Sequence, residues 1–264
     1  MSHPTATVLD GIIARTRERL AERKRARPLE ELRGEPGWPR RPFADALARP
    51  GRINVIAEHK RRSPSRGAIR EDLAPGAVCL AYQNAGAVAL SVLTDEDFFG
   101  GQLSHLAEAR ASSRLPLLRK DFVVDAYQVW EARAAGADAL LLIVAALSDA
   151  ELRALLTEAS AAGLEALVEV HDRSELDQAL LAGARIVGVN NRDLKTLAVT
   201  LETAVGLAPH IPDGVVAVAE SGIKTGGDIR RLRDAGFDAF LVGEHLMSAP
   251  EPGAALRALL EDAS

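Results

Sequence analysis

One phrase recurs four times along this 264-residue chain and limits what it can fold into. Ala85-Gly86-Ala87, Ala135-Gly136-Ala137, Ala182-Gly183-Ala184 and Ala235-Gly236-Phe237 each end a helical stretch and lead into a short apolar run. Glycine is the usual stop there, because the left-handed turn that ends a helix penalises a Cβ. The apolar runs are Val88–Leu93, Ala139–Val144, Ile186–Val189 and Ala239–Val242. Between them lie four of a second kind, Asn54–Lys60, Pro116–Asp121, Glu165–Glu169 and Val215–Glu220. Eight apolar strands alternating with helices predict a parallel sheet. At this spacing a closed eight-stranded (β/α)8 barrel is expected rather than an open doubly wound sheet. The length agrees with the roughly 250 residues typical of such barrels. No G-x-G-x-x-G follows the first strand, so the dinucleotide-binding alternative lacks its marker.

The first fifty residues follow a different pattern. Val8, Leu9, Ile12, Ile13 and Leu20 recur at helical spacing, with Thr5 or Thr7 as the expected cap. The other face carries Arg15, Arg17, Arg19, Arg23, Lys24 and Arg25 among Glu18 and Glu22, and reads as a solvated face rather than an RNA-binding stripe. Pro28, Pro36, Pro39, Pro42 and Pro50 then break the chain into short pieces. Residues 1–47 are expected to be a helical extension packed on a barrel of residues 48–264, in one structural domain. All eight strands lie beyond Arg52, so a chain lacking residues 1–47 is expected to stay folded.

Composition excludes several classes. Lys and Arg number 32 against 37 Asp and Glu, a formal charge of −5, which rules out a generally basic nucleic-acid binder. The single cysteine, Cys79, permits neither an internal disulfide nor a cysteine-based zinc cluster, and sits on an apolar helical face that reads as core. The longest apolar run, Ala139 to Leu147, is too short to span a bilayer. The first 26 residues have no signal-peptide core, so a cytoplasmic location is expected.

The second set of strands ends in charge. Period-two alternation puts Glu58 and Lys60 on the face of Ile56, Lys120 with Leu118, Glu169 with Leu167, and Glu220 with Val218. In a barrel those faces point inward, and the C-terminal rim carries the chemistry. Five ionisable groups from four strands therefore converge on one mouth. After the seventh and eighth strands come Ser221-Gly222-Ile223 and Gly243-Glu244-His245, where barrels commonly bind phosphate through backbone N–H groups. Glycine there leaves the backbone open to the anion. Lys60 and Ser63 add a cation and a hydroxyl from the loop Arg61–Gly67. His59 alternates outward, toward helices; His171, two residues beyond Glu169, could reach the mouth but reads rather as structural in its loop; no His pair suggests a metal site.

These residues are familiar as a set. The chain resembles the indole-3-glycerol-phosphate synthase family through Ala57-Glu58-His59-Lys60-Arg61-Arg62-Ser63-Pro64-Ser65, Leu93-Thr94-Asp95-Glu96 and Leu118-Arg119-Lys120-Asp121-Phe122. Val168-Glu169-Val170-His171, Gly188-Val189-Asn190-Asn191-Arg192-Asp193-Leu194, Ala219-Glu220-Ser221-Gly222-Ile223 and Leu241-Val242-Gly243 continue it over essentially the whole chain. The resemblance implies a ring closure without metal or organic cofactor. Its substrate is 1-(2-carboxyphenylamino)-1-deoxyribulose 5-phosphate; its products are indole-3-glycerol phosphate, carbon dioxide and water. Lys120 is then the expected acid, with a pKa lowered by a crowded cationic mouth and held by Glu58 across the barrel. Glu169 is the partner for dehydration, and Lys60 either assists it or binds phosphate. Asn190 and Glu220 orient, and Ser221 contacts the ligand. Arg192 suits the substrate carboxylate. Phe99, Phe122 and Leu197 fall where the family lines its anthranilate pocket. Glu244 stands where relatives often carry Ser or Ala, which a backbone contact to phosphate tolerates. The extension is expected to cover the mouth. The expected partner is a small phosphorylated molecule, with no nucleic acid and no membrane, and the simplest state is a monomer. A phosphoribosylanthranilate isomerase would need a cysteine at the end of the first strand, where this chain has Glu58-His59-Lys60.

Overall fold

A computed structural model describes residues 7–194 and 196–264. Eight parallel strands close into a barrel: β1 (Asn54–His59), β2 (Ala89–Leu93), β3 (Leu117–Lys120), β4 (Ala139–Ile143), β5 (Glu165–Val170), β6 (Ile186–Asn190), β7 (Val216–Glu220) and β8 (Ala239–Val242). Each pairs with its sequence neighbours, and β8 returns to β1 with Asn54 opposite Ala239. All eight expected strands are present, their ends within a residue or two. Gly86, Gly183 and Gly236 cap the helices before β2, β6 and β8 at φ of 105°, 92° and 111°. They are the left-handed stops that the repeated phrase predicts.

Alternation along the strands sorts the core into two layers. Ile56, Leu118, Leu141, Leu167, Val218 and Leu241 fill the barrel interior. Val55, Leu90, Leu140, Val168 and Val187 face the surrounding helices. Cys79 packs in that outer layer, fully buried. No helix among the described residues is long and apolar enough to cross a membrane.

Among the described residues, three helices precede the barrel: α1 (Val8–Ala26), α2 (Leu29–Gly34) and α3 (Phe43–Leu47). Thr7 caps α1 in a reciprocal capping box with Asp10; Thr5, the other expected cap, lies outside the described residues. Leu9, Ile12, Thr16 and Leu20 are the buried face of α1. Its basic face is not merely solvated. Arg15 and Arg19 both reach Asp97 at 2.9 Å, Arg17 meets Glu151 at 3.3 Å, Arg23 meets Glu131 at 2.9 Å and Lys24 meets Asp125 at 2.6 Å. Acidic residues following β2, β3 and β4 thus fasten α1 over the rim. Each exposed pair is worth at most about 1 kcal/mol, so the fastening is collective.

The third helix has a different role. Phe43 and Leu47 are fully buried with the interior layer and close the bottom of the barrel. The carboxylate of Glu165, at the start of β5, accepts from the backbone N–H of Phe43 at 2.6 Å and of Ala44 at 3.3 Å. Removing residues 1–47 would therefore empty part of the core, at roughly 3–5 kcal/mol for the phenylalanine alone. This packing argues that deleting residues 1–47 destabilises the barrel, against the expectation from the strand count alone.

His59 faces outward from β1, as alternation predicts, and stacks edge-on against His105 with ring centroids 5.8 Å apart. Burial, with His105 and Arg61 nearby, pushes its pKa down to about 4 from an ordinary 6.5. A neutral buried imidazole contributes its full stability above the unfolded value of 6.5, and that contribution is lost as pH falls toward 4. The melting temperature should therefore drop across this window, and His59→Gln should flatten that part of the profile. Calorimetry at stepped pH tests this; an unchanged slope in the variant would assign the acid lability elsewhere.

Candidate active site

The C-terminal mouth opens into a cavity of about 760 Å³ lined by residues from the strand ends and by α1. Lys120, at the end of β3, places Nζ 3.3 Å from Glu169 Oε2 on β5 and 3.6 Å from Glu220 Oε2 on β7. Asn190, ending β6, donates to Glu169 Oε1 at 3.1 Å. Lys60, just past β1, donates to Glu58 Oε1 at 2.9 Å, while Ser91 on β2 donates to Glu58 Oε2 at 3.1 Å. The charged set expected from alternation does converge. Two glycines make room for it. A side chain at Gly188 would collide with the Glu220 carboxylate, and one at Gly243 with that of Glu58.

The electrostatics differ from the expectation. Lys120 does not sit among cations; its neighbours are Glu169, Glu220 and Glu58. Burial favours its neutral form, but these carboxylates outweigh burial and raise its pKa well above the ordinary value. Nor is Glu58 its direct partner, since that carboxylate is taken by Lys60 and Ser91. Burial opposes ionisation of Glu58, yet Lys60 and Lys120 hold its pKa below the usual range. Glu169 is likewise held ionised against burial by Lys120, His171 and Asn190. Glu220 moves the other way: burial and the neighbouring carboxylates of Glu169 and Glu58 raise its pKa despite Lys120. Two carboxylates beside one ammonium have been driven apart in proton affinity.

On one side the cavity is apolar. Phe99 and Phe122 face each other with ring centroids 5.9 Å apart, and both line it, as does Leu197. Asp95 holds the loop bearing Phe99 by accepting from the N–H groups of Phe98 at 2.7 Å and Phe99 at 3.1 Å. Val8, Leu9 and Ile12 of α1 complete this wall. Beneath Phe122 lies a buried network that sequence reasoning missed. The Arg119 guanidinium bonds Asp121 and Glu131, both at 2.8 Å, and Asp121 in turn accepts from Phe122 N at 2.8 Å.

On the other side are Ser63, Ser221, Gly222 and Gly243. Ser221 and Gly222 take φ of 65° and 81°, a paired left-handed turn. A Cβ at Gly222 would meet the Val199 side chain at 2.7 Å and would sit on a left-handed φ, so packing and conformation both favour glycine here. Gly243 precedes the short helix Glu244–Met247. The Glu244 side chain turns toward Arg66 at 3.3 Å and Arg192 at 3.4 Å. Arg192 also donates to Leu197 O at 3.2 Å. Arg66, unassigned from sequence, is thus tied through Glu244 to the wall that holds Ser221 and Gly243.

His171 is placed where the sequence reading did not put it. Rather than serving only its loop, its Nε2 lies 3.4 Å from Glu169 Oε1 and its Nδ1 3.0 Å from Glu175 Oε2. Burial resists its protonation, but the two carboxylates raise its pKa to about 10. Period-two alternation was the available signal, because residue 171 continues the inward face of residue 169.

A closed parallel barrel with an acid–base cluster in its C-terminal mouth is the architecture of a (β/α)8-barrel enzyme. Solved structures share that fold: thiamine phosphate pyrophosphorylase from Pyrococcus furiosus, 17% identical with a TM-score of 0.62, is matched over 84% of this chain and 98% of that one. Orotidine 5'-phosphate decarboxylase from Pyrococcus horikoshii, 12% identical with a TM-score of 0.59, is matched over 79% and 98%. The family model for indole-3-glycerol phosphate synthase matches residues 9–259, and the chain belongs to that family. Indole-3-glycerol phosphate synthase 2 of Streptomyces coelicolor is 51% identical over 96% of this chain and 98% of its own. The indole-3-glycerol phosphate synthase of Laribacter hongkongensis is 49% identical over 94% and 97%.

Proposed function

We propose that this chain performs its family's ring closure by general acid–base catalysis shared between two lysines and the carboxylates that hold them. The reaction is the decarboxylating, dehydrating conversion of 1-(2-carboxyphenylamino)-1-deoxyribulose 5-phosphate to indole-3-glycerol phosphate, carbon dioxide and water. The observation that supports this reading is the Lys120 ammonium between Glu169 and Glu220, at 3.3 and 3.6 Å. The raised pKa keeps Lys120 protonated in the resting site, so its charge is in place to stabilise the alkoxide as it develops and to pass the proton to it.

The aryl carbon bearing the carboxylate attacks the ketose carbonyl as Lys120 protonates its oxygen. Loss of carbon dioxide restores the aromatic ring. Glu169, oriented by Asn190, then takes a substrate proton while a lysine protonates the departing hydroxyl. Lys60, 2.9 Å from Glu58, is placed to do this or to neutralise phosphate. Glu220 orients Lys120. Ser63, Ser221 and the backbone at Gly222, Gly243 and Glu244 face the phosphate. Arg192 receives the substrate carboxylate in place of Glu244, while Phe99, Phe122 and Leu197 enclose the ring. Within the extension, α1 roofs the pocket and α3 belongs functionally with the barrel.

Formation of an indole-fluorescent product from the carboxyphenylamino substrate tests the activity, and its absence would overturn it. Dephosphorylated substrate should show a KM raised at least about tenfold, since charge-assisted hydrogen bonds contribute about 1.5–3 kcal/mol each. Equal KM values would remove these residues from phosphate binding.

A further inference from the structure

The proposed reaction has a proton deficit. The substrate enters with an ionised carboxylate and leaves as neutral carbon dioxide, a neutral ring and water. Two protons pass from the protein to the departing oxygen, and one returns from substrate to Glu169. Each turnover therefore draws one proton from solvent. With substrate filling the mouth above Lys120, that proton needs a route through the wall.

His171 spans such a route. Its side chain is 12% exposed; on the inner side Nε2 lies 3.4 Å from Glu169 Oε1, and on the outer side Nδ1 lies 3.0 Å from Glu175 Oε2, itself 19% exposed. Glu175, in the first turn of the helix after β5, also accepts from the His171 backbone N–H at 2.7 Å, which fixes the ring between the two carboxylates. Glu169 Oε2 continues the line to Lys120 Nζ at 3.3 Å. None of the proposed chemical steps uses His171.

We propose that His171, backed by Glu175, conducts the proton consumed in each turnover from solvent to Glu169 and on to Lys120. This rests on the ring-closure reading. Nε2, which has no hydrogen-bond partner in the resting site, closes the 3.4 Å to Glu169 Oε1, and its N–H bond breaks as an O–H bond forms there, leaving a neutral imidazole. Rotation of the protonated carboxyl brings that proton to Lys120, where the N–H bond re-forms and Glu169 is again a carboxylate. The ring flips, presents its bare nitrogen to Glu175 and water, and is reprotonated there. The electrostatics order these events. While Lys120 is charged, Glu169 is too weak a base to take the proton. Once Lys120 has given its proton away, Glu169 faces Glu220 and Glu58 without its nearest cation, and its affinity rises. The charged groups that act on His171 are Glu169 near the end of β5, Glu175 on the following helix, and Glu220 across the mouth.

The wild-type enzyme is assayed first; no indole product there would overturn the ring-closure reading itself, whatever His171 does. With activity present, His171→Gln should lower kcat by about 10²-fold, the lower end of what a proton-transfer group contributes, with KM little changed. His171→Ala should recover turnover with added imidazole, in a saturable manner that a packing defect would not show. A glutamine variant keeping most of the wild-type kcat, or a folded alanine variant indifferent to imidazole, would overturn the proposal. If substitutions at 171 do not fold, Glu175→Gln decides. Losing the outer carboxylate lowers the imidazolium pKa, so the alkaline limb of the kcat–pH profile should move to lower pH; an unmoved limb would count against the route.

Discussion

Replacing Lys120 with methionine should cut kcat by about 10²–10⁴-fold while leaving KM close to that of the native enzyme. Methionine keeps the length and bulk of the side chain and removes only the acidic proton and its charge. It also leaves Glu169 and Glu220 facing each other without the ammonium that lies 3.3 and 3.6 Å from them. Glu220, whose pKa burial and Glu169 already raise, would then hold its proton to still higher pH, which a pH titration of the variant reads. Steady-state kinetics with a single-turnover measurement separates chemistry from product release. Retention of more than about a tenth of native turnover would remove Lys120 from the acid role.

The second large effect concerns the roof. Deleting residues up to Ala26 removes α1 but keeps α2 and the floor helix α3, so the barrel should stay folded by circular dichroism. Val8, Leu9 and Ile12 would no longer line the pocket. Losing apolar cover of that kind costs on the order of 2 kcal/mol, roughly 30-fold in affinity for the aryl ring. Turnover should fall as well, because water admitted to the mouth weakens the interactions of the charged set. A folded truncation with native kcat and KM would show α1 to be packing alone. Deletion to residue 47 is expected to give a different result, loss of the folded state, because Phe43 and Leu47 leave with it.

The barrel was readable because its punctuation is local. A left-handed glycine before a short apolar run depends on its own residues only, and so does the alternation that sends Glu58, Lys120, Glu169 and Glu220 inward and His59 outward. The charge state of Lys120 was not readable for the opposite reason. The cations near it in sequence reasoning, Lys60 and the arginines after it, lie on one loop, whereas the carboxylates that set its pKa come from later strands. Glu169 is 49 residues away along the chain. The basic face of α1 shows the same limit, since its partners Glu96 and Glu151 lie 77 and 134 residues away. Arg66 and Arg192 are each legible as cations, but their meeting at Glu244 depends on loops from β1, β6 and β8 arriving at one rim.

The contact between Phe43 and Glu165 sets an order for how this molecule is made. The floor helix leaves the ribosome first, yet the carboxylate that its backbone N–H groups need lies 122 residues later. At about 5–20 residues per second that interval is roughly 6–24 s of synthesis. Through it, Phe43 and Leu47 have no finished interior to enter, and β1 waits longer still for β8. The nascent chain therefore carries an uncovered apolar plug until more than half of it has been translated.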